Sequence, residues 1–477
     1  MMKGNDVLKG IGLFCLLLIG TSVSAQAIYT PSEPAGLERS FWSLSIQDAE
    51  TGEVLVGIRD HHLMTPASTM KLVSTATLWS QKGGAGRIPT EIRTNGRLEN
   101  GKVEGDIYIV GQGDPSIGSR YFWNRDQDVF FKQVAQGLKA KGITEISGDV
   151  IAIVPRSDFQ ANNPKWLAYD MGNAYAAGLW ELNAYDNSYS IHFTENGRGF
   201  SVEPEIPELK LTKMYDITST RRRDSIYISP FVLPDGSYPI TGAYPANVAK
   251  LQVRGAMPNP PLFIAHRLRS FLNKQGVPVS GKATTAETMK GRGELLYTFE
   301  SPSIRELMEI TLVYSHNLFA EGMLRQLAIG KTPLPGHSPT QTAIEEVKSY
   351  WKGRGLDTDE LEMVDGSGLS TQDRVTTHFL AAMLGKVYRA DKSGVYMRLL
   401  PRAGMDGTLT IFLKNTPLQG KARLKSGTLR NVVCYAGYVE LGGKTYTVAL
   451  MVNNFYGSAS TIRKAMEQVL LESFGLR

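Results

Sequence analysis

The sequence predicts an α+β protein with strands at both ends of the chain, helices between them and a long, strand-rich middle. Three observations carry this. Alternating, β-branched runs stand at both ends of the chain, at 41–46 and 54–58 and again at 425–429, 432–441 and 444–453. Helix-period patterns fill 304–312, 318–329, 342–351 and 376–388 between them. The segment between Lys71 and Ser315, 243 residues long, holds many short strand signals. At 477 residues, with 42% hydrophobic and 21% charged residues, the chain has room for two or three domains and an ordinary globular composition.

In chain order, residues 1–27 read as an export signal. Lys3 and Lys9 make a weak cationic start, 11–19 is an apolar run too short to span a bilayer, and Val23-Ser24-Ala25 or Ala25-Gln26-Ala27 offers small residues for cleavage. An uncleaved N-terminal anchor is the other reading. No other run approaches 18 apolar residues, so the mature chain is expected to be periplasmic or otherwise exported, and peripheral to a membrane at most. The hairpin 41–58, turning at Asp48–Gly52, leads into an apolar helix at 72–79. Gly83-Gly84-Ala85-Gly86 marks a boundary. Strands come next at 101–110, 148–154, 189–193 and 225–228, with a helix at 129–141. Pro258-Asn259-Pro260-Pro261 opens a helix at 262–275, and an amphipathic helix at 459–474 closes the chain.

The formal charge of +6, from 52 basic and 46 acidic residues, is a mild excess. Its densest run, Arg221-Arg222-Arg223, reads as a solvated loop. Without a long basic stripe or interleaved aromatics, nucleic-acid binding is not implied, whereas a polyanionic wall gains weakly from the excess. Cys15 would leave with the signal, and Cys434 stands alone in an apolar strand as a small buried hydrophobe. The seven histidines include no His-x-x-x-His, and the neighbours His61 and His62 point in different directions on any regular element. No metal and no cofactor are expected.

The chemistry centres on Ser68 and Lys71, three apart and so on one helix face. A serine hydroxyl needs a neighbouring base, and a lysine serves only if burial or a second cation depresses its pKa. Ser-x-x-Lys should occur by chance about twice in a chain this long, and it does, the second being Ser349/Lys352 on a helix that reads as solvated. Ser68 is distinguished by its downstream companions, Ser315-His316-Asn317, the chain's only Ser-x-Asn, and then Lys425-Ser426-Gly427. That ordered triple is the pattern of serine β-lactamases and penicillin-binding proteins.

Pro66-Ala67-Ser68-Thr69-Met70-Lys71, Tyr314-Ser315-His316-Asn317, Asp365-Gly366-Ser367-Gly368-Leu369-Ser370, Gly404-Met405-Asp406-Gly407-Thr408-Leu409 and Lys425-Ser426-Gly427-Thr428-Leu429 come in that order, with Gly111-Gln112-Gly113-Asp114-Pro115 before the second. Together they resemble the D-alanyl-D-alanine carboxypeptidase/endopeptidase family, the class C low-molecular-mass penicillin-binding proteins (serine peptidase family S13). The resemblance runs from residue 35 to the C-terminus and is loose between 116 and 300. It implies a serine β-lactamase/transpeptidase-like core, an antiparallel sheet with flanking helices, carrying two nested, strand-rich accessory domains. The expected division is core at 28–88 and 301–477, accessory domain at 89–115 and 181–300, and nested domain at 116–180.

The resemblance also implies roles. Ser68 attacks the carbonyl of the penultimate D-alanine with neutral Lys71 as base; the other reading of Ser68 is a helix N-cap. Asn317 orients Lys71 and binds the substrate amide, Ser315 passes a proton to the leaving amine, and His316 points away. Lys425, on an edge strand, favours an anionic substrate and lowers the pKa of Lys71. Gly427 lets the substrate backbone approach the strand, Ser426 keeps a hydroxyl where threonine is commoner, and Thr428 holds the terminal carboxylate. The backbone N–H groups of Ser68 and Thr428 form the oxyanion hole. Asp365–Ser370 and Asp406–Thr408 read as tight turns. Many relatives carry an arginine where this chain has Thr371, which leaves open how the peptide's third residue is gripped. The function expected is a serine D,D-peptidase acting on peptidoglycan peptides or cross-links, with β-lactam antibiotics as covalent inhibitors. A catalytically retired wall-binding scaffold, or a β-lactamase or esterase with the same triple, are the other readings.

Overall fold

The computed structural model describes residues 27–122, 126–218, 225–291, 293–332 and 336–476. The export-signal reading, apart from Ala27, and the Arg221-Arg222-Arg223 loop lie outside them. No helix among the described residues is long and apolar enough to cross a membrane.

The two ends of the chain meet in one antiparallel sheet of five strands, ordered Ala422–Leu429, Val432–Leu441, Lys444–Asn453, Phe41–Asp48, Val54–Ile58. Phe41–Asp48 pairs along its whole length with Lys444–Asn453, Phe41 opposite Asn453 and Asp48 opposite Tyr446. Side chains alternate between two apolar layers, as a strand's period of two requires. Cys434, Ala436, Tyr438, Ala449 and Met451 share an apolar layer with the helix Thr377–Ala390, where Tyr438 OH donates to Leu384 O at 3.0 Å. Val433, Tyr435, Val448, Leu450 and Val452 face the closing helix Ala459–Ser473. Because both faces are covered, Val432–Leu441 is buried along nearly all its length. Cys434 is a buried free thiol in the first of these layers, and burial pushes its pKa up.

The helix Met70–Lys82 sits among Ile304–Val313, Asn317–Arg325, Pro339–Lys352 and Thr377–Ala390. Ser303 with Glu306, and Ser338 with Gln341, form capping boxes that start two of them. Gly84 and Gly86 lie beside the segment that starts at Ser301. Ile304 N–H donates to Gly86 O (2.8 Å), Arg305 N–H to Gly84 O (2.9 Å) and Ser301 N–H to Ile88 O (3.1 Å), closing the neck of the insertion.

The inner division of the insertion is corrected. Its main sheet runs Ala283–Ala286, Val150–Ile153, Ile107–Val110, Pro89–Thr94, Glu294–Glu300. Helices Val129–Ala140 and Pro260–Lys274 pack into the same core. A strand and a helix of 116–180 are therefore integral to this sheet, and 116–180 is not a nested unit. The part threaded out and back is 188–256, with two three-stranded sheets of its own. The expected strand 101–110 is two strands, Lys102–Glu104 and Ile107–Val110, broken at Gly105, where a Cβ would meet Gly96 Cα at 2.6 Å.

An irregular run from 160 to 187 lays the insertion against the core. Asn163 Nδ2 donates to Val364 O (2.9 Å), Trp166 Nε1 to Asp365 Oδ2 (2.7 Å), and Arg325 pairs with Glu181. The Gly111–Pro115 turn lies on the same boundary, its Gln112 carbonyl accepting from Gln326 Nε2 at 2.8 Å.

Candidate active site

Ser68 lies in a single 3-10 turn, Ala67–Thr69, that runs directly into Met70–Lys82. Thr69 Oγ1 donates to Pro66 O (2.7 Å) and braces the turn. The N-cap of the helix is Thr69, with no side-chain cap bond, so Ser68 is not serving as a cap. Its Oγ instead accepts from Lys71 Nζ at 2.8 Å, the i,i+3 pairing predicted.

Lys71 is fully buried. Besides Ser68 Oγ, its Nζ donates to Asn317 Oδ1 (2.7 Å) and to Ser367 O (2.6 Å). A carbonyl and an amide oxygen can only accept, whereas a hydroxyl can reverse and donate. When Lys71 is neutral, its two remaining N–H bonds satisfy Asn317 and Ser367, and its lone pair faces the Ser68 hydroxyl proton. Burial brings the Lys71 pKa down from 10.5 to about 7, against an upward pull from the carboxyls of Asp365, Glu321 and Asp373. Burial raises two of those carboxyls in turn, Glu321 to about 8 and Asp373 well above the carboxylate range.

Lys425 is also fully buried, on the edge strand Ala422–Leu429, and donates to Ser315 Oγ (2.9 Å) and Ser426 O (2.6 Å). Its pKa falls well below the lysine range, through burial first and then repulsion from Lys71. The repulsion between the two amines is mutual, so the charge of Lys425 bears on Lys71 as that of Lys71 does on Lys425, beside the burial of each. Ser315 holds φ +59, a left-handed conformation rare for serine, two residues ahead of the helix Asn317–Arg325. His316 packs edge-on to Tyr121 and Phe319, and burial lowers its pKa to about 4.

A cleft of about 370 Å³ opens on Ser68, Ser315, Ser426, Thr428, Thr408 and Arg463. Ser426 Oγ and Thr408 Oγ1 share a hydrogen bond of 2.7 Å, and Thr428 is exposed on the edge strand. The reason for Gly427 is corrected. A Cβ there would meet Pro66 O at 2.6 Å and Ser68 N at 3.0 Å, so the backbone it admits is the turn carrying Ser68. Thr371 is exposed and leaves no guanidinium at that position.

Several contributors were not singled out in the sequence. Asp365, within a predicted tight turn, is saturated: Oδ1 accepts from Ser367 N–H (3.0 Å) and Gly368 N–H (2.6 Å), Oδ2 from Ser370 N–H (2.8 Å) and Trp166 Nε1 (2.7 Å). This fixes the Ser367 carbonyl against Lys71. Asn317 Nδ2 donates to Tyr175 O (2.7 Å), so the insertion helps orient a residue beside Lys71. Arg463 brings a half-buried cation from the closing helix. Two of these contacts had no signal in the sequence, because backbone carbonyls carry none. The rival motifs fall elsewhere. Ser349 and Lys352 lie on an exposed helix face. A second Lys-Ser-Gly, Lys392-Ser393-Gly394, is a surface turn with Lys392 3.7 Å from Glu50.

Comparison with known proteins agrees with this geometry. A D-alanyl-D-alanine carboxypeptidase of Actinomadura sp. (strain R39) is 25% identical over 439 residues, covering 88% of this chain and 79% of that one. The D-alanyl-D-alanine carboxypeptidase DacB of Haemophilus influenzae is 21% identical over 451 residues, 92% of this chain and 91% of that one. The crystal structure of penicillin binding protein 4 (dacB) from the same organism superposes with a TM-score of 0.76 at 19% identity, over 91% of this chain and 96% of that one, which establishes a transpeptidase-like core with added domains. The model of the D-Ala-D-Ala carboxypeptidase 3 (S13) family matches residues 26–473, nearly the whole chain. The chain therefore belongs to the S13 family of serine D-Ala-D-Ala carboxypeptidases.

Proposed function

We propose that Ser68 is the nucleophile of this D,D-peptidase and that Lys71, Ser315, Asn317 and Lys425 move and hold its protons. The observation that supports this most is the buried Lys71 amine, held by two obligate acceptors with its third direction on Ser68 Oγ. Lys71 takes the Ser68 proton as Oγ attacks the carbonyl of the penultimate D-alanine. The oxyanion that forms lies against the N–H groups of Ser68 and Thr428; one such donor is worth about 3–4 kcal/mol. As the C–N bond breaks, the proton that Lys71 took passes through Ser315, which Lys425 touches, to the leaving amine, and Lys71 is neutral again. Water, deprotonated by Lys71, then releases the acyl group from Ser68. The hydroxyls of Thr428 and Ser426 hold the terminal carboxylate, with Lys425 and Arg463 supplying positive charge nearby.

The substrate class is peptidoglycan stem peptides. The same acyl-enzyme serves a cross-link, where the leaving amine belongs to a second peptide, so the reading covers endopeptidase as well as carboxypeptidase activity. The enzyme acts in the periplasm or another exported compartment, a reading that the N-terminal signal features support. β-Lactams fit as covalent inhibitors, and the Haemophilus influenzae relative has been crystallised with one.

The test is intact-mass analysis of the mature protein with penicillin, alongside Ser68→Ala. A one-to-one adduct is expected on wild type and none on the variant. Release of D-alanine from a pentapeptide and splitting of a cross-linked dimer then apportion the two activities. Folded wild type that forms no adduct and turns over neither peptide overturns the reading in favour of a wall-binding scaffold.

A further inference from the structure

On a part of the core that does not line the cleft, the turn after Val54–Ile58 brings Asp60 and His61 against His378, in the first turn of Thr377–Ala390. One donor atom from each of the three lies within 4.8 Å of the others, the only such group of three among the described residues. His378 Nδ1 stands 3.5 Å from Asp60 Oδ2. It is buried and has no hydrogen-bond partner. That spacing is long for a hydrogen bond between nitrogen and oxygen. Two ligand atoms bound tetrahedrally at about 2.0–2.1 Å from zinc stand about 3.3 Å apart, close to the separation found here. The His61 and His378 rings stack with centroids 4.2 Å apart, so the two imidazoles are neighbours at the site.

The surroundings are built around this pair of rings. Glu360 Oε1 holds His61 Nδ1, which leaves His61 Nε2 as its free donor atom. The other oxygen of Glu360 is fixed by Thr376 Oγ1 at 2.7 Å. A carboxylate on the far nitrogen of a ligating histidine is the usual way such a ring is oriented. The backbones of the two sides are tied together, His378 N–H donating to Asp60 O at 2.9 Å. The Asp60 carboxylate lies over Gly57, where a Cβ would come within 2.8 Å of Oδ2. His61 is exposed, so an ion has an entry path and a water can complete its coordination.

We propose that Asp60, His61 and His378 bind one divalent transition-metal ion of the zinc type, with Glu360 orienting His61. Two imidazoles and one carboxylate select such an ion over magnesium or calcium, which take all-oxygen shells. The ion is structural. It pins the end of a sheet strand to the helix behind it, in a segment where Met64 also exchanges two backbone hydrogen bonds with Val375, at 3.1 and 2.9 Å, four residues before Ser68. No part of the acyl transfer runs through it.

The test uses the tag-free full chain, stripped with a chelator, then titrated with zinc by calorimetry and with cobalt by visible absorption. One equivalent of each is expected, with the intense bands of a low-coordinate cobalt site and a zinc-dependent rise in melting temperature. His61→Ala, a change at an exposed side chain, should abolish stoichiometric binding and the melting shift while leaving penicillin acylation of Ser68 unchanged. Glu360→Gln should weaken affinity on the order of tenfold. No stoichiometric binding to wild type, or binding undiminished in His61→Ala, overturns the proposal. His378→Ala is informative only where its circular dichroism matches wild type, and His61→Ala decides the matter without it.

Discussion

The acyl transfer turns on whether Lys71 is neutral when Ser68 attacks, and the structure gives a size to that requirement. Burial lowers its pKa from 10.5 to about 7. At 1.36 kcal/mol per unit, the neutral amine is about 5 kcal/mol more accessible than in an exposed lysine. At pH 7 roughly one exposed lysine in 3,000 would be uncharged, against about half of the Lys71 side chains. The acylation rate should follow the neutral fraction, level above pH 8 and falling about tenfold per unit at acid pH, to roughly 3% of the plateau at pH 5.5. The assay is the second-order rate of labelling by a fluorescent penicillin between pH 5 and 9. Lys71→Arg, which keeps the charge but cannot lose its proton, should not label at any pH. A wild-type rate that is flat from pH 5.5 to 8, or labelling retained in Lys71→Arg, refutes the argument. The linkage sign is fixed by the same values. The folded pKa lies below the unfolded one, so the cost of burying the cation is full below pH 7 and fades as the pH rises towards 10.5. The stability advantage of Lys71→Met over wild type should shrink across that window in denaturant melts.

Two further changes probe the support of Ser68. Gly368 holds φ +74, and a methyl there would lie 1.8 Å from Ala67 O, inside the turn that carries the nucleophile. Gly368→Ala combines a left-handed penalty of about 1–2 kcal/mol with overpacking of about 1–3 kcal/mol. Denaturant melts should show that loss and mass spectrometry a slower penicillin adduct; wild-type behaviour in both would mean the turn does not depend on Gly368. Trp166→Phe deletes one of four donors to the buried Asp365 carboxylate. A loss of about 1–3 kcal/mol, read as a lower unfolding midpoint, should come with slower acylation as the Ser367 carbonyl loosens, and an unchanged midpoint would rule out this bond as a support of the site.

Much of the protein was determined by the order of its residues alone. Strands at 54–58, 432–441 and 444–453 and helices from Met70 to Ser473 follow from periodicity, a property of consecutive residues that tertiary context did not override. The Ser68, Lys71, Ser315, Asn317 and Lys425 set was legible because such chemistry demands particular side chains in a particular chain order, and the structure ties them into two hydrogen-bonded groups, Ser68–Lys71–Asn317 and Ser315–Lys425, with Ser68 and Ser315 lining one cleft. Local pattern does not choose a strand's partner. Pro89–Thr94 pairs with Glu294–Glu300 across the entire insertion, and Val150–Ile153 joins their sheet, which is why a nested unit at 116–180 was misplaced and 188–256 emerged instead. The carbonyls of Ser367 and Tyr175 are backbone atoms with no signature of their own, and their position beside Lys71 and Asn317 depends on packing between distant segments. The same holds for charge: a lysine in a sequence is a cation, and only the burial of Lys71 and Lys425 in one dry site makes their protonation a question of geometry. His61 and His378 are the plainest case, two unrelated letters in the sequence that folding stacks ring against ring.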